Sequence, residues 1–237
     1  MVPLRDENPT IITPYVTYGL IIANILAFVY ELTLPPQQLL SFFHLAAIVP
    51  RELSASFAGV AIDQPVPEWT TLITSQFLHA GFAHLIGNML FLWIFGNNVE
   101  EALGHVKFLI FYLSCGVLAG LAQWYFSMQS GIPSLGASGA IAGVLGAYII
   151  KYPNAKILTF FGYFLFYVPA FFFLGLWFVQ QAFYGFASLQ APTNVGMESG
   201  GIAYWAHAGG FIFGAILGPI LGLFANQSGN QSQIEQF

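Results

Sequence analysis

The sequence predicts an all-α, polytopic membrane protein in which six transmembrane helices form one domain over residues 1–237. Hydrophobic residues make up 57% of the chain and charged residues only 6%, whereas a soluble domain carries roughly 25% charged residues. The chain contains six apolar segments, most of them long enough to cross a hydrocarbon core about 30 Å thick. The 25 Phe and 25 Gly residues are typical of membrane helices that approach each other closely at small residues.

The predicted spans are apolar runs bounded by charged residues, Pro or Asn. In chain order they cover about residues 14–34, 81–99, 106–127, 136–150, 157–187 and 201–225. The fourth span is short and the fifth is long. An external loop at about 35–80 contains apolar patches too short to cross a membrane, so we expect it to fold or to lie at the interface. The polar residues from about 226 predict a flexible tail.

The cationic residues predict the orientation of these spans. Arg5, Lys107, Lys151 and Lys156 fall on one side of the membrane, and Arg51 falls on the other. The positive-inside rule therefore places both termini in the cytoplasm. The N-terminus lacks the pattern of a cleaved signal peptide. This fits a prokaryotic cytoplasmic membrane and leaves an organelle membrane as the alternative.

The composition also excludes several function classes. Five Lys and Arg residues are too few to neutralise a nucleic-acid backbone, so we expect no nucleic-acid partner. His79 and His84 lack the spacing and the Cys or Glu partners of a zinc site, so we expect no metal. The aspartates, Asp6 and Asp63, lie outside the spans, which excludes an aspartyl mechanism within the membrane. Cys115 is expected to pack as a small hydrophobic residue.

Four polar residues lie toward the outer ends of the even-numbered spans. His84 and Asn88 occur in HLIGNM of the second span, Ser138 in GASGAIAG of the fourth and His207 in AHAGG of the sixth. Polar groups inside a membrane are costly unless they pair or serve function. A rise of 1.5 Å per residue places His84 and Ser138 both about 20 Å above the inner edge. We therefore expect these residues to share a wet cavity below the outer surface.

These residue types suit nucleophilic catalysis. The Ser138 hydroxyl can be activated by His207 acting as general base, if the two side chains come within hydrogen-bond distance. His84 and Asn88 are four residues apart and therefore share one helix face. Together with the Ser138 backbone N–H, they can stabilise an oxyanion.

Each motif alone also has a simpler structural interpretation. Gly136 and Gly139 beside Ser138 allow a tight turn and a close substrate approach, or they belong only to a small-residue packing face. His207 can be a hydrogen-bonded histidine at a close helix contact, and the polar pair of the second span can form an interhelical hydrogen bond. The occurrence of all these residues at the outer ends of three spans favours catalysis.

Three segments in this order resemble the rhomboid family of intramembrane serine proteases. They are HAGFAHLIGNMLFLWIFGNNVEEALG, GASGAIAGVLGAY and AHAGGFIFGAILG, and the resemblance covers most of the chain from about residue 69. It implies a six-helix rhomboid-like bundle that hydrolyses peptide bonds in a membrane-immersed cavity. By this resemblance Ser138 is the nucleophile and His207 the general base, while His84 and Asn88 form the oxyanion-stabilising pair.

The resemblance assigns further positions. Gly210 and Gly214 match the glycines that press the sixth span against the fourth, and Glu100 matches a structural glutamate at the inner end of the second. The Phe-rich fifth span corresponds to a proposed lateral substrate gate. Some members carry a Tyr one turn after the nucleophile that stacks on the catalytic His. This chain has Ala142 there, which leaves open what orients His207.

The resulting hypothesis is a serine endopeptidase that needs no cofactor and cleaves other membrane proteins within or near their transmembrane segments. Its expected partners are single-span or multi-span membrane substrates and the lipid bilayer, and its cavity opens to the outer side. Two non-catalytic alternatives stay open. One is a rhomboid-like protein that only binds membrane helices, and the other is a channel or transporter. The latter needs polar residues through both leaflets, whereas these cluster in one.

Overall fold

The computed structural model describes residues 1–62, 64–190 and 203–225, and this part of the chain contains nine α-helices and three β-strands. The helices in chain order are α1 (Tyr15–Thr33), α2 (Pro36–Ala46), α3 (Pro50–Phe57), α4 (Thr71–Thr74), α5 (Phe82–Leu103), α6 (His105–Phe126), α7 (Ser138–Lys151), α8 (Ala170–Gln190) and α9 (Tyr204–Leu221). The strands are β1 (Val2–Asp6), β2 (Lys156–Phe161) and β3 (Phe164–Pro169).

Helices α1, α5, α6, α7, α8 and α9 correspond to the six predicted spans, which confirms the polytopic helical fold class. Within the described residues, α1, α6, α8 and α9 are each long and apolar enough to cross a membrane. Helix α5 also qualifies when taken with the short helical turns before it, from which it is bent by 81°. Helix α7 has 14 residues, in agreement with the short fourth span.

Helix α7 forms the centre of the bundle. All of its residues from Gly139 to Tyr148 are buried, and α5, α6, α8 and α9 pack around it. Fourteen residues span only about 21 Å, less than the hydrocarbon thickness. A short helix is acceptable at this position because protein, rather than lipid, surrounds the irregular backbone at its ends.

The prediction for the fifth span, 157–187, is wrong in its first part. Residues 156–169 form the antiparallel hairpin β2–β3, and helix α8 begins only at Ala170. Gly162 in the two-residue turn has a φ of +62°, which glycine adopts without steric cost. Aromatic and β-branched residues favour a strand, but hydropathy does not distinguish an apolar strand from an apolar helix.

The N-terminal strand completes a three-stranded sheet in the order β1-β2-β3. The Tyr148 hydroxyl of α7 donates a hydrogen bond to the Asp6 carboxylate at 2.5 Å, which attaches the sheet to the bundle. Burial raises the pKa of Asp6 from 3.8, and the hydrogen bond from Tyr148 opposes this rise only in part. A small sheet therefore supplements the helical fold.

Glu100 attaches the start of α1 to the end of α5. Its fully buried carboxylate accepts hydrogen bonds from the N–H groups of Val16 and Thr17, at 2.9 and 2.7 Å. It also accepts one from the Thr17 hydroxyl and lies 2.6 Å from His105 Nδ1. The first N–H groups of a helix have no partner within that helix. Glu100 supplies partners for α1, in agreement with a structural role.

The loop between α1 and α5, which the sequence predicts to be external and which is called the external loop below, is folded. Helices α2, α3 and α4 lie within it, and two small apolar clusters hold it together. Their buried members are Phe43, Ala47 and Leu78 in one cluster and Ile48, Leu53 and Leu72 in the other. Asp63, residues 201–202 of the sixth predicted span and the tail from 226 lie outside the described residues.

Candidate active site

Ser138 is the first residue of α7, directly after a turn at Gly136. Gly136 has a φ of +124°, and a Cβ atom there would lie 2.8 Å from the His84 imidazole. Both the backbone conformation and the lack of space therefore require glycine. The N–H of Ser138 belongs to the first turn of α7 and has no partner within the helix, so it can donate to a group beyond the helix end.

Backbone hydrogen bonds hold the segment before α7 against the external loop. Ile48 and Ser134 exchange two N–H···O bonds of 3.0 and 2.7 Å, and the Arg51 N–H donates to the Ser130 carbonyl at 2.9 Å. The Gly136 N–H donates to the carbonyl oxygen of Ser75, also in the external loop, at 2.8 Å. This segment thus has protein partners, which a non-helical segment at membrane depth requires.

His207 lies in the first turn of α9 and faces Ser138. Its Nε2 atom is 2.8 Å from the Ser138 Oγ atom, and both side chains are half-buried. This distance is within the normal range for a hydrogen bond. The structure therefore brings together the two residues that were predicted as nucleophile and general base, although they are far apart in the chain.

Glycines on both helices permit this close approach of α7 and α9. A Cβ atom at Gly210 would collide with the carbonyl oxygen of Gly139, and one at Gly214 would collide with the carbonyl oxygen of Gly143. Three of these positions, Gly139, Gly210 and Gly214, are among the glycines predicted near the site. Small residues allow helix backbones to touch in this way.

A residue that the sequence analysis missed contacts the other side of the imidazole. Gln181 of α8 is only 8% exposed, and its Oε1 atom lies 2.8 Å from His207 Nδ1. The Trp177 ring, one turn earlier on α8, lies 5.8 Å from the His207 ring at an angle of 32°. The sequence does mark Gln181, because an amide side chain within an apolar span is a functional candidate for the same reason as the other polar residues.

His84 and Asn88 lie on the α5 face that meets the turn before Ser138. The His84 ring approaches Gly136, and the Asn88 amide nitrogen lies 3.7 Å from the position that a Cβ atom of residue 136 would occupy. Asn88 is 8% exposed, and its amide nitrogen lies 2.9 Å from His79 Nε2. The predicted oxyanion-stabilising pair is thus beside the serine turn, and one member already has a hydrogen-bond partner.

His79 is a second residue whose position the sequence did not predict. It is 1% exposed, its N–H donates to the buried carboxylate of Glu31 at 3.2 Å, and its ring centroid lies 5.1 Å from that of His84. Over residues 1–62, 64–190 and 203–225, no group of three His, Cys, Asp or Glu side chains is arranged to hold a metal ion. His79 is connected to the site by its contact with the Asn88 amide.

A narrow cavity of about 20 Å³ reaches Ser138 from the side of the external loop. Such a volume holds about one water molecule. The cavity is lined by residues of α6, α7 and α9, of the external loop and of the segment before α7, and these include Gln76, Ser134, Gly136, Ser138, Gly139 and Ala206. The candidate nucleophile therefore borders a small space of partly polar lining.

Comparison with known proteins places the whole site inside one family domain. Residues 66–224 match the model of the Rhomboid domain. Rhomboid protein 1, mitochondrial, of Saccharomyces cerevisiae is 35% identical over 152 residues, which are 62% of this chain and 40% of the yeast protein. Rhomboid protease GluP of Bacillus subtilis is 46% identical over 91 residues, 38% of this chain and 17% of that protein.

A plant relative has a longer matched region. Rhomboid-like protein 11, chloroplastic, of Arabidopsis thaliana is 30% identical over 168 residues, which are 70% of this chain and 57% of the plant protein. The chain thus spans less than two thirds of the length of each of these three relatives. The family match includes Ser138 and His207 as well as the polar residues of α5.

Proposed function

This chain belongs to the rhomboid family and is an integral membrane protein, and on that premise we propose that it is an intramembrane serine endopeptidase. It hydrolyses peptide bonds within or near the transmembrane segments of other membrane proteins. The observation that carries the proposal is the 2.8 Å contact between Ser138 Oγ and His207 Nε2. A hydroxyl and an imidazole at this distance can act as the nucleophile and base of a serine hydrolase.

The reaction follows from this geometry. As Ser138 Oγ attacks the scissile carbonyl, His207 Nε2 accepts the hydroxyl proton. The imidazolium then donates that proton to the leaving amine, and an acyl-enzyme remains on Ser138. A water molecule, deprotonated by the same nitrogen, then attacks the ester. The imidazolium returns this proton to Ser138 Oγ as the ester bond breaks, which releases the acid and restores the enzyme. The small cavity beside Ser138 has room for this water.

The tetrahedral intermediates carry an oxyanion that needs hydrogen-bond donors already in place. We assign this role to the Ser138 N–H and to the side chains of His84 and Asn88. The placement of both side chains against Gly136, two residues before the nucleophile, supports the assignment. Because the Asn88 amide has two N–H groups, it can contact His79 with one and the oxyanion with the other.

The expected substrate is a membrane helix that unwinds easily. Peptide groups within a helix are engaged in hydrogen bonds and shielded from a nucleophile, so small or helix-destabilising residues near the cut favour cleavage. Because most Lys and Arg residues fall on one side of the predicted spans, the positive-inside rule places both termini in the cytoplasm. The site then opens to the outer side. We propose that the protein resides in a prokaryotic cytoplasmic membrane. Because two relatives are named as mitochondrial and chloroplastic, membrane fractionation has to test these organelles as the alternative locations.

The decisive experiment compares the parent protein with Ser138→Ala in liposomes. The substrates are a panel of single-span membrane proteins, and mass spectrometry maps the cut. Ser138→Ala is expected to abolish cleavage while helix content stays unchanged. Ser134→Ala, a serine that lines the same cavity, serves as the matched control and should retain activity. Substantial cleavage by Ser138→Ala would refute the nucleophile assignment.

Labelling with a serine-reactive fluorophosphonate separates an enzyme from a non-catalytic membrane-helix binder. An activated hydroxyl reacts with this probe, whereas an ordinary serine does not. We expect labelling at Ser138 in the parent and its loss in His207→Ala. Binding of membrane helices with neither labelling nor cleavage would establish the non-catalytic alternative.

A further inference from the structure

Helix α8 brings a buried amide to the side of His207 that faces away from Ser138. The two ring nitrogens of His207 have different partners: Nε2 contacts Ser138 Oγ, and Nδ1 contacts Gln181 Oε1, each at 2.8 Å. Gln181 is 8% exposed, so water does not compete strongly for this contact. The imidazole is therefore held between α7 and α8 through both of its nitrogens.

An amide oxygen is an acceptor only, so the hydrogen bond requires the proton on His207 Nδ1. A neutral imidazole with its proton on Nδ1 has its lone pair on Nε2, and this lone pair faces the Ser138 hydroxyl. That tautomer is the one a general base needs. The opposite amide orientation would donate to Nδ1 and leave the proton on Nε2, where it would prevent transfer from the serine.

We propose that Gln181 is the positioning residue of the base: it selects the His207 tautomer and the ring orientation that allow Ser138 to be deprotonated. This inference deepens the proposed protease function and rests on it. The Trp177 ring restricts the imidazole further, because it lies 5.8 Å away on the same face of α8. Ala142 of α7, at the position where some rhomboids carry a stacking Tyr, is buried and has only a methyl side chain.

The position of α8 therefore affects the chemistry directly. Ser138 lies on α7 and His207 on α9, but the acceptor for Nδ1 lies on a third helix. A displacement of α8 away from α9 would remove the acceptor and release the ring. His84 of α5 is a titratable neighbour of His207, so a change in the pH dependence caused by Gln181 has to be separated from an effect of His84.

The chain offers a matched control for this proposal. Gln180 is the preceding residue on α8 and is exposed, whereas Gln181 is buried against His207. Gln181→Met and Gln180→Met make the same chemical change, and Met keeps a similar length without an amide. A loss specific to Gln181→Met thus reports the contact with His207 rather than a general effect of removing an amide from α8.

We expect Gln181→Met to lower kcat by about 10- to 100-fold, a part of the roughly 10²- to 10⁴-fold that a general base contributes. KM should stay within about twofold because Gln181 contacts the base and not the substrate. Gln180→Met should match the parent. Gln181→Glu retains an oxygen acceptor, so it should recover more activity than Gln181→Met and move the acid limb of the pH profile to higher pH.

A measurement without substrate keeps this proposal distinct from the protease proposal. In protein with ¹⁵N-labelled histidine, the imidazole nitrogen shifts report which nitrogen carries the proton, and the His207→Asn variant identifies the His207 signals. We expect the proton on Nδ1 in the parent and a mixture of tautomers in Gln181→Met. A proton on Nε2 in the parent, or identical spectra and rates for Gln181→Met and Gln180→Met, would overturn the assignment. Absence of cleavage with the expected tautomer would instead refute only the protease function.

Discussion

Replacing Gly210 with alanine should separate His207 from Ser138 while leaving both side chains in the protein. A Cβ atom at position 210 would collide with the carbonyl oxygen of Gly139, the residue next to the nucleophile. Real Cβ atoms essentially never approach a neighbouring atom within 3.0 Å. The helices α7 and α9 would therefore have to move apart by about 0.8 Å at this point, which is the shortfall from that 3.0 Å limit. Neither group can rotate away, because the oxygen belongs to the backbone and the backbone also fixes the position of Cβ.

The magnitude follows from the distance in the site. His207 lies one turn before Gly210 on α9, so this displacement would lengthen the contact of 2.8 Å between its Nε2 atom and Ser138 Oγ. A separation of about 3.6 Å is no longer a hydrogen bond. Because a misplacement of about 1 Å costs about 10²-fold in rate, we expect kcat/KM of Gly210→Ala to fall by about 10²-fold.

The assay is cleavage of a membrane substrate in detergent micelles, at a temperature where circular dichroism shows the variant to be folded. Gly19→Ala is the matched control, because Gly19 of α1 is exposed and has no atom within 4 Å of its Cβ position. It should cleave at the parent rate. If Gly210→Ala also kept the parent rate, the close contact of α7 and α9 would not be what positions the two side chains.

Three further substitutions test other parts of the molecule. Asn88→Ala should lower kcat by about 10²- to 10³-fold as an oxyanion donor is lost, and an unchanged kcat would assign Asn88 to packing beside His79. Glu100→Ala leaves several buried donors without a partner, so it should cost at least about 3 kcal/mol of stability, seen as a lower Tm; an unaltered Tm would contradict this. Because the pKa of Asp6 is raised in the folded protein, stability falls as pH rises through that raised value. The Tm of Asp6→Asn minus the Tm of the parent should therefore increase from about pH 4 to pH 7. A difference that decreases over this range would show that folding lowers the pKa of Asp6.

The order of the apolar helices along the chain was predicted from hydropathy alone, with one error that has a physical cause. Hydropathy measures transfer from water to an apolar medium, and that quantity does not depend on whether the backbone is helical or extended. The β2–β3 hairpin was therefore included in the fifth span. A positive φ at Gly162 and pairing with the N-terminal strand decide in favour of a sheet, and both depend on the folded chain.

The polar residues of the site were also found from the sequence, because a polar group in an apolar span is conspicuous. Ser138, His207, His84 and Asn88 all lie around one turn in the structure. Gln181 was missed although the same criterion applies to it, since its neighbours in the sequence belong to no recognisable motif. Its role depends on a contact with a residue 26 positions away on another helix.

The sequence by itself determined three properties of this protein: that it is a membrane protein, which of its spans carry polar groups, and which family it resembles. These properties belong to single residues and short segments. Only the tertiary structure decided how those groups pair. The Asn88 amide contacts the His79 ring, Glu100 accepts hydrogen bonds from the start of α1, and the Gln181 amide contacts the imidazole of His207. A hydrogen bond depends on distance and angle between groups on separate helices, and only the packing of those helices sets these quantities.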